Sequence, residues 1–210
     1  MGPVSPQVSA RMQEKRRRIL ECAFELYAEK GYVNTPVKEI IDKSGFGTGT
    51  FYKYFSSKED VLKTLLSDFL DQIITSVNEY FKTESDLYLR FVGAKLVILD
   101  VFIKHEKLSE IYSRVAGISD GIDACLKEFD DKFVRFTAKN IRYGIKQGVF
   151  RDLPVEPIAN TVLAVIKHAV YRWIVLKDIS KEEMIDMVKS ILEFLAAGLD
   201  VKNGGARPEP

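Results

Sequence analysis

Phe46-Gly-Thr-Gly-Thr-Phe-Tyr-Lys-Tyr-Phe55, followed directly by Ser56-Ser-Lys58-Glu-Asp60, is the stretch whose reading decides the fold. Gly47, Thr48, Gly49 and Thr50 in succession forfeit roughly 2 kcal/mol of helix propensity against alanine. A core helix avoids that loss; a short helix that brings its backbone close to a polar partner does not. Phe46 before the cap and Phe51 at N4 form a hydrophobic staple, which predicts a helix opening at Gly47 despite the poor propensity. Upstream, Thr35-Pro36 reads as a threonine N-cap with proline at N1, starting a helix over Val37–Lys43 with Val37, Ile40 and Ile41 inward. Ser44-Gly45-Phe46 is a tight turn in which Gly45 can take a positive φ. Two short helices so joined have the geometry of a helix-turn-helix, whose second helix lies in a DNA major groove.

Working outward, residues 1–10 contain Pro3 and Pro6 and little apolar material, which predicts a disordered arm. A helix is expected from Arg11, with Ile19, Ala23, Leu26 and Tyr27 at helical spacing and Gly31 as its stop. After the Gly/Thr helix, Ser56-x-x-Glu59 reads as a capping box, opening a helix that carries Val61, Leu62, Leu65, Leu66, Phe69 and Ile73 toward Phe81. Beyond the polar break Thr83–Asp86, further helices are predicted over Leu87–His105, Lys107–Val115, Ile118–Gln147, Pro157 to about Leu176, and Ser180 to Gly198. Ser180 with Glu183 forms a second capping box. Residues 201–210, with Gly-Gly and two prolines, are expected to be a disordered tail. The fold class is all-α, about nine helices. The expected division is 11–60 for the helix-turn-helix domain and 61–200 for a helical bundle.

Composition excludes several classes. Hydrophobic residues make up 46% and mean hydropathy is −0.07, the profile of a soluble globular protein. The longest apolar candidate, Leu96–Ile103, is broken by Asp100, too short for a membrane span. Met1–Gln13 has no apolar core of a secretory signal, and Cys22 and Cys125 do not make a disulfide scaffold; a cytoplasmic protein with reduced thiols is expected. Net charge is +1 overall, distributed as +3 over residues 1–66 and −2 over 67–210. His105 and His168 have no partners at metal-ligand spacing, no nucleophile–base pairing is evident, and Gly47-x-Gly49-x-x-Tyr52 lacks the third glycine of a dinucleotide fingerprint. No enzyme, metal or cofactor is expected.

Within the helix pair the chemistry suits an anionic duplex. Gly49 removes a side chain where backbone meets the sugar-phosphate ridge. Thr48 and Thr50 place short hydroxyls beside the open N–H groups of the helix start. Lys53 can reach a guanine O6/N7 and the hydroxyls of Tyr52 and Tyr54 can bond phosphate. Lys58, Lys38, the Thr35 hydroxyl and Arg16, from the Lys15–Arg18 cluster, complete the expected DNA-contacting set. Phe51 and Phe55 are expected in the core.

These residues carry a resemblance. Thr35-Pro-Val-Lys-Glu-Ile40, Gly45–Phe55 and Ser57-Lys-Glu-Asp-Val-Leu62 resemble the N-terminal signature of the TetR family of transcriptional regulators, as does the pattern from Ile19 to Tyr32. Gly148-Val-Phe-Arg-Asp152, Pro157-Ile-Ala159 and Arg172-Trp173 resemble what precedes and fills that family's penultimate helix. The specific likeness covers residues 16–62. It implies that Thr48, Gly49, Thr50, Tyr52, Tyr54 and Lys58 touch DNA. The family has serine and lysine where this chain has Gly47 and Thr48, removing one cap bond and one phosphate cation. Ile41 stands where the family prefers alanine, and its extra volume is expected to be taken up by a shifted helix angle or by Gly47 and Gly49 opposite.

The resemblance further implies a ligand cavity among the Leu87, Ile118 and Pro157 helices. Phe91, Phe102, Tyr112, Phe129, Phe133, Phe136, Asn140, His168 and Tyr171 are its expected lining, with Arg114 and Tyr143 as further polar anchors. The last two helices carry Ile166, Val170 and Ile174, and Met187, Ile191 and Leu195, in stripes that fit a two-fold four-helix dimer interface. The expected protein is a homodimeric repressor, released from a pseudo-palindromic operator by a small lipophilic effector. Two alternatives stay open: a helical small-molecule-binding protein that does not bind DNA, and an architectural DNA-binding factor without an inducer.

Overall fold

A computed structural model describes residues 6–200, folded as nine α-helices with no strand among the described residues. They are α1 Pro6–Lys30, α2 Val37–Ser44, α3 Thr48–Tyr54, α4 Lys58–Thr83, α5 Leu87–Lys104, α6 Glu106–Arg114, α7 Asp120–Lys146, α8 Val155–Tyr171 and α9 Lys181–Leu199. Residues Arg172–Leu176 extend α8 as a π-helical turn, ended by Lys177 at φ 55°. The expected arm is helical from Pro6, because proline in a first turn lacks only an N–H that would be unpaired there. The remainder of the arm and the 201–210 tail lie outside the described residues. Among the described residues no helix is long and apolar enough to cross a membrane.

Local signals account for most helix ends. Gly31, Gly45 and Gly148 sit at φ 82°, 74° and 70° where helices stop. Asp86, Ser119 and Ser180 cap α5, α7 and α9 through their side chains, and the Ser180–Glu183 capping box is complete. Two caps differ from expectation. Pro36, not Thr35, is the N-cap of α2. Ser57, not Ser56, caps α4 by accepting from the Asp60 N–H, while Asp60 accepts from the Ser56 N–H at 2.9 Å. The box is thus moved one residue on, and Glu59 is freed for another partner.

The helix α4 is shared. Its start closes the small α1–α3 unit over Ile19, Ile40, Phe51 and Val61, all fully buried. Its remainder packs against α5 and α7. Central to the larger bundle is α5, which packs against α4, α6, α7, α8 and α9. The α7–α8 pair closes one side, and a Cβ on Gly144 would collide with the Phe150 ring, so only glycine admits that loop against α7. Cys22 and Cys125 are free thiols.

Candidate nucleic-acid interface and effector cavity

The positions of the α3 side chains follow from Phe51. It is fully buried, with the Phe55 ring 6.1 Å away, and this leaves Thr48, Gly49, Tyr52 and Lys53 exposed and Thr50 and Tyr54 half-buried. The turn before α3 is held by Ser44, whose hydroxyl donates to the Ile41 carbonyl at 2.8 Å and accepts from the Phe46 N–H at 3.3 Å. A Cβ built at Gly47 or Gly49 meets nothing within 4 Å. These glycines therefore do not absorb the volume of Ile41, which is half-exposed and accommodated at the rim of α2. Nothing inside the protein calls for glycine at either position, so the reason for them lies outside it.

The Lys15–Arg18 cluster divides in two. The Lys15 ammonium lies 5.8 Å over the Phe46 ring and the Arg16 guanidinium 5.4 Å over Phe55, which places both beside α3. Arg17 is paired with Glu14 and Glu21, and Arg18 with Glu21. Among the described residues, Lys15, Arg16, Lys38 and Lys53 are exposed without a carboxylate in ion-pair contact.

Thr35 and Lys58, both expected to meet phosphate, are turned inward. Thr35 is fully buried and its hydroxyl donates to the Gly31 carbonyl at 2.8 Å. The Lys58 ammonium donates to the carbonyls of Tyr32, Val33 and Thr35 at 3.0, 3.2 and 3.1 Å and lies 4.6 Å over the Tyr32 ring. Tyr27 donates to the Lys58 carbonyl at 3.0 Å. Burial pushes the Lys58 ammonium below, and the Tyr27 phenol above, their ordinary ranges. With its hydrogens already taken, Lys58 ties the α1–α2 loop to α4. Lys58→Met is therefore expected to lower stability by about 1–3 kcal/mol in urea unfolding, since it strands those carbonyls. The salt dependence of DNA binding should stay unchanged in the same variant.

The start of α4 also touches the larger bundle. The Ser119 hydroxyl, at the cap of α7, donates to Glu59 at 2.9 Å, and Lys63 pairs with the same carboxylate at 2.8 Å. These two partners hold the Glu59 carboxyl below its usual range.

The aromatic residues expected to line one cavity separate into two groups. Phe102, Tyr112, His168 and Tyr171 meet around a cavity of about 360 Å³ between α6, α7 and α8, together with Ser113, Leu126 and Lys167. Phe129 backs Tyr112 with ring centroids 5.1 Å apart. The Tyr112 hydroxyl contacts Asp130 at 3.3 Å, and Lys167 pairs with Asp130 at 2.7 Å. Burial, with Asp130 second, pushes the Tyr112 phenol well up. Phe91, Phe136 and Asn140 lie elsewhere. Phe91 meets Phe150 at 5.9 Å, Phe136 stacks on Phe81 at 5.7 Å, and Asn140 donates to the Phe136 carbonyl. The space bordered by Phe81, Phe91 and Asn140 is about 20 Å³, enough for no ligand. Phe133 is buried in the core face of α7. Arg114 pairs with Glu110, and Tyr143 is half-exposed at the narrow group. Lys167 and Asp130 carry no local signal, since a helical lysine or aspartate ordinarily faces water.

A wider groove of about 540 Å³ opens between α1, α4 and the α5–α6 corner, floored by Leu20, Phe24, Leu65 and Leu108. The cations at its edge are paired: Arg17 with Glu21, Lys104 with Asp100 and Lys107 with Glu110.

The dimer stripes also divide. Ile166, Val170 and Ile174 are buried in their own chain. Outward on α9 are Phe194, 78% exposed, and Ile191, with Met187 and Leu195 half-buried; outward on α8 are Ala164, His168 and Tyr171. The expected α8 stripe faces the chain's own core, because a helix apolar on both sides gives no sequence signal for which side meets that core.

Residues 19–65 match the family model described as "Bacterial regulatory proteins, tetR family". The crystal structure of a putative TetR-family transcriptional regulator from Syntrophomonas wolfei str. Goettingen is 54% identical, covers 90% of this chain and 98% of its own, and superposes with a TM-score of 0.84. The fatty acid metabolism regulator protein of Bacillus subtilis (strain 168) is 27% identical over 207 residues, 91% of this chain and all of that protein. A crystal structure of the transcriptional regulator FadR from Bacillus subtilis in complex with stearoyl-CoA shares the fold, with a TM-score of 0.76 at 21% identity over 87% of this chain and 98% of that one.

Proposed function

This chain belongs to the TetR family of transcriptional regulators, and from that premise we propose that it is a homodimeric repressor that releases its operator on binding a lipophilic effector. The carrying observation is the exposed start of α3. Gly47 and Gly49 put no side chain beside Thr48, Thr50 and Tyr52, within a rim of exposed Lys15, Arg16, Lys38 and Lys53. That pattern suits close approach of backbone to a phosphate ridge, with cations at the sides and one long side chain, Lys53, for a base edge. In this reading residues 11–60 read DNA, while 61–200 sense and dimerise.

Lys53→Ala is expected to weaken operator binding by about 1–3 kcal/mol and to relax preference at one base pair. Arg16→Ala should weaken binding to all sequences and lower the salt slope by about one. Fluorescence anisotropy against salt, on operator and on scrambled duplex, checks both. An unchanged base preference in the Lys53 variant overturns its reading role. Gel shift on the DNA upstream of the gene tests the function as a whole.

The effector reading rests on the 360 Å³ cavity, walled by apolar side chains with Tyr112 and Lys167 as polar anchors. The likeness to a regulator crystallised with stearoyl-CoA favours an acyl or similarly lipophilic compound. Occupation of the cavity would displace α6, which also packs on α1, and so change how the α1–α3 unit is carried. An effector acts only through its preference for one arrangement, so the operator-bound form must hold it less tightly.

A further inference from the structure

We propose that Glu59 is a catch that fixes the DNA-reading unit against the effector domain, and that effector binding opens it; this rests on the regulatory reading above. Among the described residues, the Ser119 hydroxyl donating to Glu59 at 2.9 Å is the one side-chain hydrogen bond or ion pair that joins residues 6–60 to residues 87–199. Besides the continuous α4, the unit meets the bundle where α1 packs on α6, between two open clefts of about 540 and 360 Å³. Hydrophobic packing sets no direction, whereas a hydrogen bond to a carboxylate fixes one position. Gly121, in the first turn of α7, is what admits that carboxylate. A Cβ there would overlap the Glu59 carboxylate and the Lys63 ammonium, and its three nearest neighbours all belong to those two side chains. Both are flexible ends that can swing away, so alanine at 121 displaces the catch and leaves the fold.

Each end of the catch leads to a functional surface. Glu59 follows Lys58, whose ammonium binds the α1–α2 loop carbonyls, so the start of α4 and the helix-turn-helix move together. Ser119 closes the α6–α7 loop, which is stitched to α7 by the Gly117 N–H donating to Asp123 at 2.8 Å. Ser113, at the end of α6, and Ala116, in that loop, line the effector cavity. An occupant that pushes these two residues outward shifts Ser119 away from Glu59. The released carboxylate keeps Lys63, 2.8 Å away on its own helix, so opening strands no charge. The DNA-reading unit is then free to turn on the α1–α6 contact, and the fixed spacing between half-sites is lost.

Anisotropy of the full-length protein on its upstream operator tests the catch, with the spacer between half-sites native or changed by one and two base pairs. Wild type is expected to prefer the native spacer. Gly121→Ala and Ser119→Asp should each lose about tenfold of that preference while binding an isolated half-site unchanged. Ser119→Asp keeps a good cap for α7 but repels Glu59. Ser113→Trp or Ala116→Trp, each adding bulk at the cavity, should relax the preference alone and add nothing to Gly121→Ala. Circular dichroism checks that every variant is folded. A wild type indifferent to spacing, an unchanged preference in both catch variants, or an additive effect of the tryptophans overturns this proposal alone. No wild-type binding to any upstream duplex sinks the DNA reading, and this proposal with it.

Discussion

Phe194→Glu is expected to yield a folded monomer that no longer holds a two-half-site operator. Phe194 projects from α9 with Ile191 beside it, and neither is needed by its own core. Burying such a side chain contributes about 1.5–3 kcal/mol, and two-fold symmetry counts each substitution twice. Two glutamates facing each other across the same patch add desolvation of like charges. Loss of the dimer leaves each recognition helix to bind alone, without the fixed spacing of about 34–36 Å between half-sites. Linked half-sites gain roughly 10²–10⁴ in avidity, so operator affinity should fall by at least the lower figure. Sedimentation velocity would report the monomer, circular dichroism the intact helices and anisotropy the lost affinity. A dimer that persists would move the interface elsewhere on the molecule.

Lys95→Met should raise stability at neutral pH and remove the pH dependence expected of the natural chain. An ordinary lysine titrates at 10.5, whereas the buried Lys95 titrates at about 7. Between those values the unfolded chain holds a proton that the folded chain has released, so stability climbs as pH rises across that window. Below pH 7 both states are protonated and the full cost of the buried charge is present. At about 1.4 kcal/mol for each tenfold change in proton affinity, the variant should gain on the order of 4 kcal/mol at pH 7 and less than about 1 kcal/mol near pH 10. Methionine fills the same volume without a charge. Urea unfolding of both proteins at pH 6, 7, 8.5 and 10 measures the effect. Parallel curves for the two chains would show that the ammonium has a partner.

The helices were legible because their signals are local. Ile19, Ala23, Leu26 and Tyr27 repeat at helical spacing and all are buried; Ser180 with Glu183 closes its capping box; Gly45 takes the left-handed turn that a helix-turn-helix needs. Sequence and structure part where two neighbouring residues offer the same chemistry, or where a partner comes from far along the chain. Ser56 and Ser57 are equivalent as caps by composition, and Asp60 decides between them. Lys58 has the sequence context of a surface cation because the three carbonyls that bind it come from a loop more than twenty residues earlier. The aromatic residues of α5 and α7 share helical stripes, yet the stripes are long enough to serve two separate groups, one at Tyr112 and one at Phe81.

By itself the sequence determined an all-α chain with a helix-turn-helix near its start, whose second helix presents glycines, hydroxyls and Lys53 around a buried Phe51. Those properties are set by propensity, capping and periodicity, each acting within a turn or two of helix. Only the tertiary structure decided which apolar face of α8 turns inward, which of the four basic residues Lys15–Arg18 are ion-paired, and that Lys95 is enclosed. Each of these depends on what stands opposite a side chain across the core, and in a nine-helix bundle that neighbour comes from another helix.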